Sequence, residues 1–216
     1  VASKVLEIAL TSREAGPQGR IPMCEVPHHA AEGYLEKLVR SGYRVALCEQ
    51  LEDPKQAKGV VKRDVVRLIT PGTFIEGHLE GEENQFLLAI GWEAKSFALA
   101  SLDMSTGEFM TVSLANQSQL EDELRRVNPA EIVLTADLRI LTVVEAAGEV
   151  LGYPITIWGE KQESLARAGQ ILLEHFGVST LTPFGLTTSS EILAAALALR
   201  YVQETQRSVL SHIRVV

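Results

Sequence analysis

Three strand-length runs stand almost end to end near the middle of the chain: "FLLAIGWE" at 86–93, "SFALASLDM" at 96–104 and "GEFMTVSL" at 107–114. The gaps between them are too short for a crossover, and the second reversal uses Ser105 and Thr106 with Gly107 at the start of the third run, so the three runs must reverse on one another as an antiparallel meander. Beyond Leu114, helix alternates with strand. A helix is expected over 118–127, with Leu120, Leu124 and Val127 on one side, then a strand at 131–135, a helix near 137–147, a strand at 153–158 and a helix near 161–175. The last helix, 189–207, starts at a Ser cap and is apolar around most of its circumference, which predicts a packed helix.

The order βββαβαβα implies an α/β fold in this half, a mixed sheet flanked by helices as in ribonuclease-H-like folds. The N-terminal part reads as α+β instead. A strand is expected over 6–12, a turn over 13–20, and an amphipathic helix from His29 with Ala31, Tyr34, Leu35, Leu38 and Val39 on one face, Glu36 four before Arg40 and Gly42 as its stop. Residues 43–50 read as a buried strand, 51–59 as a loop or short helix, and 60–70 as a strand ending at Pro71-Gly72. The acidic, glycine-containing stretch 72–85 has no sustained period and reads as a linker.

Charge supports the division. Residues 1–75 carry 11 Lys and Arg against 9 Asp and Glu, whereas 76–216 carry 9 against 19, so a net acidic chain has a slightly basic first part. Different partners for the two parts are expected. With 46% hydrophobic residues the 216-residue chain can bury a real core. Its longest apolar run, 192–199, falls well short of the roughly 20 residues a membrane helix needs. No membrane partner is expected. The N-terminus has neither an initiating Met nor a secretory signal pattern, so the chain reads as an intracellular, cytoplasmic piece of something longer. Cys24 and Cys48 are expected as reduced, half-buried thiols.

"IPMCEVPHHAAEG", 21–33, gathers a thiol, a carboxylate and two imidazoles. A structural zinc site wants four converging N or S ligands, and here adjacent His28 and His29 diverge, so no metal ligand is assigned. Cys24, His28 and Glu25 or Glu49 can be drawn as a nucleophilic set, but no catalytic residue is assigned, because sequence does not show convergence. There is no GxxxxGK[ST] or GxGxxG run, so no ATP hydrolysis and no cofactor are expected in this chain. The enzyme reading that remains is a metal-dependent nuclease built on Asp103, which lies at the end of the second meander strand, where an Asp commonly caps a turn. "DPKQAKGVVKRDVVR", 53–67, carries Lys55, Lys58, Lys62, Arg63 and Arg67, a stripe suited to phosphates.

"IPMCEVPHHAAEGYLEKLVRSGYRVALCEQLEDP" followed by "KGVVKRDVVRLITPGT" resembles the mismatch-recognition domain of the MutS family of bacterial DNA mismatch repair proteins. "FALASLDMSTGEF", "NPAEIV" and "YVQETQRSVLSHIR" are similar to that family's connector domain and its lead into the core. The resemblance implies a partial mismatch-recognition domain over 1–74, a linker over 75–84, a connector over 85–208 and a lead into the core over 209–216. It implies a dimeric sensor that kinks mispaired double-stranded DNA and signals to the MutL protein, with ATP and magnesium used elsewhere in the full-length protein. The family's Phe-x-Glu wedge is expected upstream of Val1. By the resemblance Arg13 and Arg63 are DNA-backbone contacts, Pro22 and Met23 form a loop near the minor groove, and Lys62 is added on charge. Glu25 and His28 stand where the family usually has Gly and Tyr. A ribonuclease-H-like nuclease and a protein-interaction module with a decayed DNA surface stay open as alternatives.

Overall fold

The computed structural model describes residues 1–14, 16, 19–53, 59–75, 84–94, 96–137, 142, 144, 152–206 and 213–215. The chain divides into two units, Val1–Phe74 and Ile75–Val216, each with its own architecture.

The first unit opens with a single helical turn, α1 (Ala2–Val5), which Leu6 caps and which Glu7 leaves at φ 55°. That left-handed exit breaks the extended run expected over 6–12, and strand β1 begins only at Thr11 (Thr11–Glu14). It pairs antiparallel with β2 (Arg20–Met23), so the "IPM" stretch is a strand and not a loop. A two-stranded hairpin has no central strand, which is why Pro22 is tolerated there. A 3-10 turn at His28–Ala30 leads into α2 (Ala31–Arg40). Its end is tightly specified: Gly42 sits at φ 80° and donates to Val39 O at 2.8 Å, and Tyr43 N donates to Leu38 O at 3.0 Å, the two bonds of a Schellman motif. The expected Glu36 to Arg40 pair is made at 3.0 Å.

Strands β3 (Val45–Gln50) and β4 (Arg63–Ile69) form a second hairpin. The expectation that 43–50 is a buried strand fails. Val45 and Leu47 are only half-buried, the rest of β3 is exposed, and Cys48 is exposed while Cys24 is half-buried. An isolated two-stranded ribbon has a face and two edges that no further strand covers. The loop or short helix expected within 51–59 and the linker within 72–85 lie largely outside the described residues.

The second unit is α/β. Strands β5 (Phe86–Glu93), β6 (Ser96–Asp103) and β7 (Glu108–Leu114) form the meander, followed by α3 (Gln117–Val127), β8 (Glu131–Leu134) and β9 (Ile155–Ile157). Helices α4 (Leu165–Phe176) and α5 (Ser189–Gln206) come next, then the short β10 (Arg214–Val215). The sheet order is β10-β7-β6-β5-β8-β9, with β5 antiparallel to β6 and parallel to β8. Strand β10, inside the segment read as a lead into the core, pairs parallel with β7. The helix expected near 137–147 lies largely outside the described residues.

Period-two alternation divides the core between the two faces of this sheet. Leu88, Ile90, Leu99, Ile132 and Leu134 meet Leu120 and Leu124 of α3 on one face. Leu87, Ala89, Ala98, Ala100 and Val133 meet α4 and α5 on the other. Small residues dominate where α5 crosses β5: Gly91 lies against the backbone of Ser190 and Ala194.

Two helix starts differ from expectation. Helix α4 begins at Leu165, not near 161, because Ser164 caps it by accepting from Arg167 N at 3.3 Å. Gln162 is used otherwise: its Oε1 accepts from Trp92 N at 2.9 Å and its Nε2 donates to Trp92 O at 2.8 Å, so its amide imitates a neighbouring strand. Helix α5 is capped by Thr188 and not by a Ser. Thr188 Oγ1 accepts from Glu191 N at 3.2 Å, while Glu191 Oε2 accepts from Thr188 N at 2.9 Å and Thr187 N at 3.0 Å, a reciprocal capping box. Glu191 also ties the helix to β7, its Oε1 accepting from Ser113 Oγ at 2.7 Å.

Burial pushes the Glu191 carboxyl up, but the hydrogen bonds from Ser113, Thr188 and Thr187 outweigh it and hold the group below its ordinary value. A carboxyl lowered in the folded state contributes stability above its unfolded pKa, about 4.3, and that contribution is lost as pH falls through the folded value. Glu191→Gln is therefore expected to cost about 1–2 kcal/mol at pH 7. Its unfolding free energy should decline less steeply than that of the parent below about pH 5. Urea titrations between pH 3 and 7 measure both, and parallel pH profiles for the two proteins would refute the assignment.

Candidate nucleic-acid interface

The residues expected to contact DNA all lie on the two hairpins of the first unit. On the first, the register sets Arg13 opposite Ile21, Ser12 opposite Pro22 and Thr11 opposite Met23. Directly paired residues share a face and neighbours alternate. Arg13, Ile21, Met23 and Thr11 thus form one face, and Pro22 lies on the other with Ser12 and Glu14. Pro22 and Met23, expected together in one loop, point to opposite sides of a strand. Arg13, Pro22 and Arg20 are exposed, Met23 is half-buried, and Ile21 keeps 49% of its surface exposed beside Arg13. Sequence reasoning does not single out Arg20 and Ile21, which this hairpin also exposes. The alternation that would reveal them is interrupted by Pro22 and comes after a turn rich in Gly and Pro.

On the second hairpin Arg63 starts β4 opposite Gln50. Lys62, just before it, is exposed, and its backbone extends the ladder: Leu51 N donates to Lys62 O at 2.9 Å and Lys62 N donates to Glu52 Oε1 at 2.6 Å. A register shift between Leu47 and Cys48 inserts one extra residue into β4, so that Leu47 pairs with Arg67 and Cys48 with Val65. Such a bulge reverses the faces beyond it. Arg67 shares the face of Glu49 and Asp64, whereas Arg63 shares the face of Val65 and Gln50. The basic stripe is thereby split, and Lys55 and Lys58 lie outside the described residues. The two hairpins belong to separate sheets, so Arg13 and Arg63 are not brought together by strand pairing.

Glu25, which the resemblance sets where Gly is expected, does not adopt positive φ, so the backbone there does not require glycine. Cys24 and His28 flank it, one in the connection after β2 and the other in the 3-10 turn. Among the described residues no three His, Cys, Asp or Glu side chains are grouped to hold a metal. The sequence does contain one Phe-x-Glu tripeptide, Phe74-Ile75-Glu76. Phe74 is half-buried at the end of the first unit and Glu76 lies outside the described residues.

The nuclease reading of Asp103 finds no support in the geometry. Asp103 is 1% exposed, and its Oδ1 accepts from Ser105 N at 2.7 Å, Ser105 Oγ at 2.6 Å and Thr106 N at 3.2 Å. It caps the β6–β7 turn. The other buried carboxylate of the sheet, Glu131, pairs in register with Leu87, on the face of α5, while Asp103 pairs with Phe86 on the opposite face. Carboxylates on opposite faces cannot share a two-metal site.

The first unit is thus a pair of hairpins with exposed cations, and the second an α/β unit whose buried carboxylates hold turns and strands together. Family comparisons identify both. Residues 1–78 match the model of MutS domain I and residues 85–214 match the model of MutS domain II. The chain belongs to the MutS family. It is 41% identical over 220 residues to the DNA mismatch repair protein MutS of Syntrophomonas wolfei, covering 99% of this chain and 26% of that protein. It is 40% identical over 223 residues to the MutS of Symbiobacterium thermophilum, covering 99% of this chain and 25% of that protein. A Clostridium botulinum MutS is 42% identical over 213 residues, 98% of this chain and 22% of its own length. The chain thus spans about a quarter of the length of these relatives. Among the described residues no helix is long and apolar enough to cross a membrane.

Proposed function

We propose that this chain is the DNA-facing and coupling portion of a mismatch sensor for DNA repair in the bacterial cytoplasm. The observation that carries this reading is the ordered match to MutS domains I and II along nearly the whole chain. In this reading Arg13 and Arg63, supplemented by Lys62, contact phosphates of double-stranded DNA, and Met23 with Ile21 offers an apolar surface beside Arg13. Phosphate contacts position a duplex without reading its sequence, and mismatch discrimination requires an apolar wedge between base steps. The acidic second unit suits protein better than DNA and is the part that docks MutL. Homodimer formation and the use of ATP with magnesium belong to the longer protein. The chain itself performs no catalysis.

Binding of the chain to a matched duplex and to the same duplex with one G·T mismatch, at two salt concentrations, tests this. Each lost phosphate contact should lower the slope of log K against log salt by about 0.9. The Arg13→Ala, Arg63→Ala double variant should therefore bind more weakly, with a slope shallower by about 1.8 for both duplexes. Unchanged affinity and slope would refute the assignment of these two residues.

A further inference from the structure

The connection between β9 and α4 crosses the second unit with little packing to hold it. Residues 159–163 contain no apolar side chain, and Gly159, Glu160 and Lys161 are exposed. A cavity of about 330 Å³ reaches from this connection to Trp158, and an open groove of about 730 Å³ reaches from it to Trp92. Lys161, Gln162, Glu163 and Leu193 border both. The connection is therefore a partition between two spaces, and moving it gives up few van der Waals contacts.

What holds the partition is polar. Gln162 Oε1 accepts from Trp92 N at 2.9 Å, and Gln162 Nε2 donates to Trp92 O at 2.8 Å. Strand β5 pairs with β8 only as far as Ala89 and Val133, so at Trp92 the side-chain amide stands where a neighbouring strand would. Glu163 pairs with Arg200 of α5. The same guanidinium also holds Glu204, one turn further along the helix, at 2.5 Å. Two carboxylates thus share one cation, so each weakens the other's hold, and Arg200 keeps a partner when Glu163 leaves. The ends of the connection are fixed. Gly159 O accepts from Ala136 N at 3.1 Å, and Ser164 caps α4. Gly159 sits at φ 80°, which gives the first end a backbone freedom that other residues lack.

We propose that residues 160–163 are a strap that opens while the sheet and helices stay folded, and that Arg200, shared between Glu163 and Glu204, sets how often it does so. Opening frees the backbone of Trp92 and joins cavity and groove into one cleft floored by Leu193. The proposal concerns the second unit alone and does not depend on DNA contact by the first.

Amide hydrogen exchange of the full 216-residue chain, followed by NMR, tests this. The Trp92 N–H is held by Gln162 and reports the strap, whereas the Leu99 N–H lies in β6 between β5 and β7 and reports global unfolding. After correction for intrinsic rates, Trp92 is expected to exchange about tenfold faster than Leu99 or more. Glu163→Gln should speed exchange at Trp92 about threefold, the size of one exposed ion pair. Glu204→Gln should slow it about threefold, because Glu163 then has the guanidinium to itself, and should leave Leu99 no slower. If Glu204 served only to stabilise α5, its loss would speed both amides. Exchange at Trp92 no faster than at Leu99, or acceleration of Trp92 by Glu204→Gln, would overturn the proposal.

Discussion

Gly91→Ala will cost the second unit about 3 kcal/mol or more, because the added methyl group meets backbone and not side chain. A Cβ built on Gly91 stands 2.3 Å from Ser190 O, 2.4 Å from Ala194 N and 2.9 Å from Ala194 Cα. All three are backbone atoms of α5, so no side-chain rotation relieves the clash. The helix must lift off β5, opening the face where Ala89, Ala98, Ala194 and Ala198 now fit closely. Gly169, in α4, has nothing within 4 Å of its added Cβ and serves as control, since alanine there should stabilise by about 0.5–1 kcal/mol. Urea denaturation of the two variants decides the matter. Similar small changes in both would show that α5 does not lie on β5 as described.

The second large effect is expected at Tyr201. Glu131 is fully buried at the first position of β8, and its Oε1 accepts from Tyr201 OH at 2.8 Å and from Thr156 Oγ1 at 2.5 Å. One carboxylate thereby joins β8 to β9 and to α5. Tyr201→Phe preserves the ring, including its edge-on contact with Trp158, and removes one hydrogen bond to a buried charged group. A loss of about 2 kcal/mol is expected, within the range for charge-assisted bonds. An unchanged denaturation midpoint would mean that the carboxylate does not rely on the phenol.

The architecture of the second unit is legible in the sequence because period and spacing leave few choices. The short gaps around "SFALASLDM" permit only antiparallel reversal, and each later strand is separated by a helix-length segment that requires a parallel return. Asp103 as a turn cap is equally visible in "DMSTG". The errors lie where local chemistry overrides the pattern. Lys161, Gln162 and Glu163 look helical, yet Ser164 is the better cap and Gln162 bonds a strand 70 residues away in sequence. Thr188 displaces the expected Ser because only it stands three before Glu191, the spacing a capping box needs.

The first unit is less legible for a different reason. Strands β1 and β2 are four residues each and almost wholly exposed, and β4 is half-buried on both faces between Val65 and Leu68, so burial imposes no strict alternation on them. Pro22 makes a strand look like a loop, and a single extra residue in β4 moves Arg67 to the acidic face. Charge counts from sequence treat Arg63 and Arg67 as one stripe, and only register separates them.

Helix α5, 18 residues and about 27 Å long, is fastened to the sheet at three places, through Glu191 to β7, at Gly91 to β5 and through Tyr201 to β8. Three anchors on three different strands remove both sliding and rolling as soft motions. Displacing α5 would have to disturb contacts with three strands at once, so helix and sheet are built as one body.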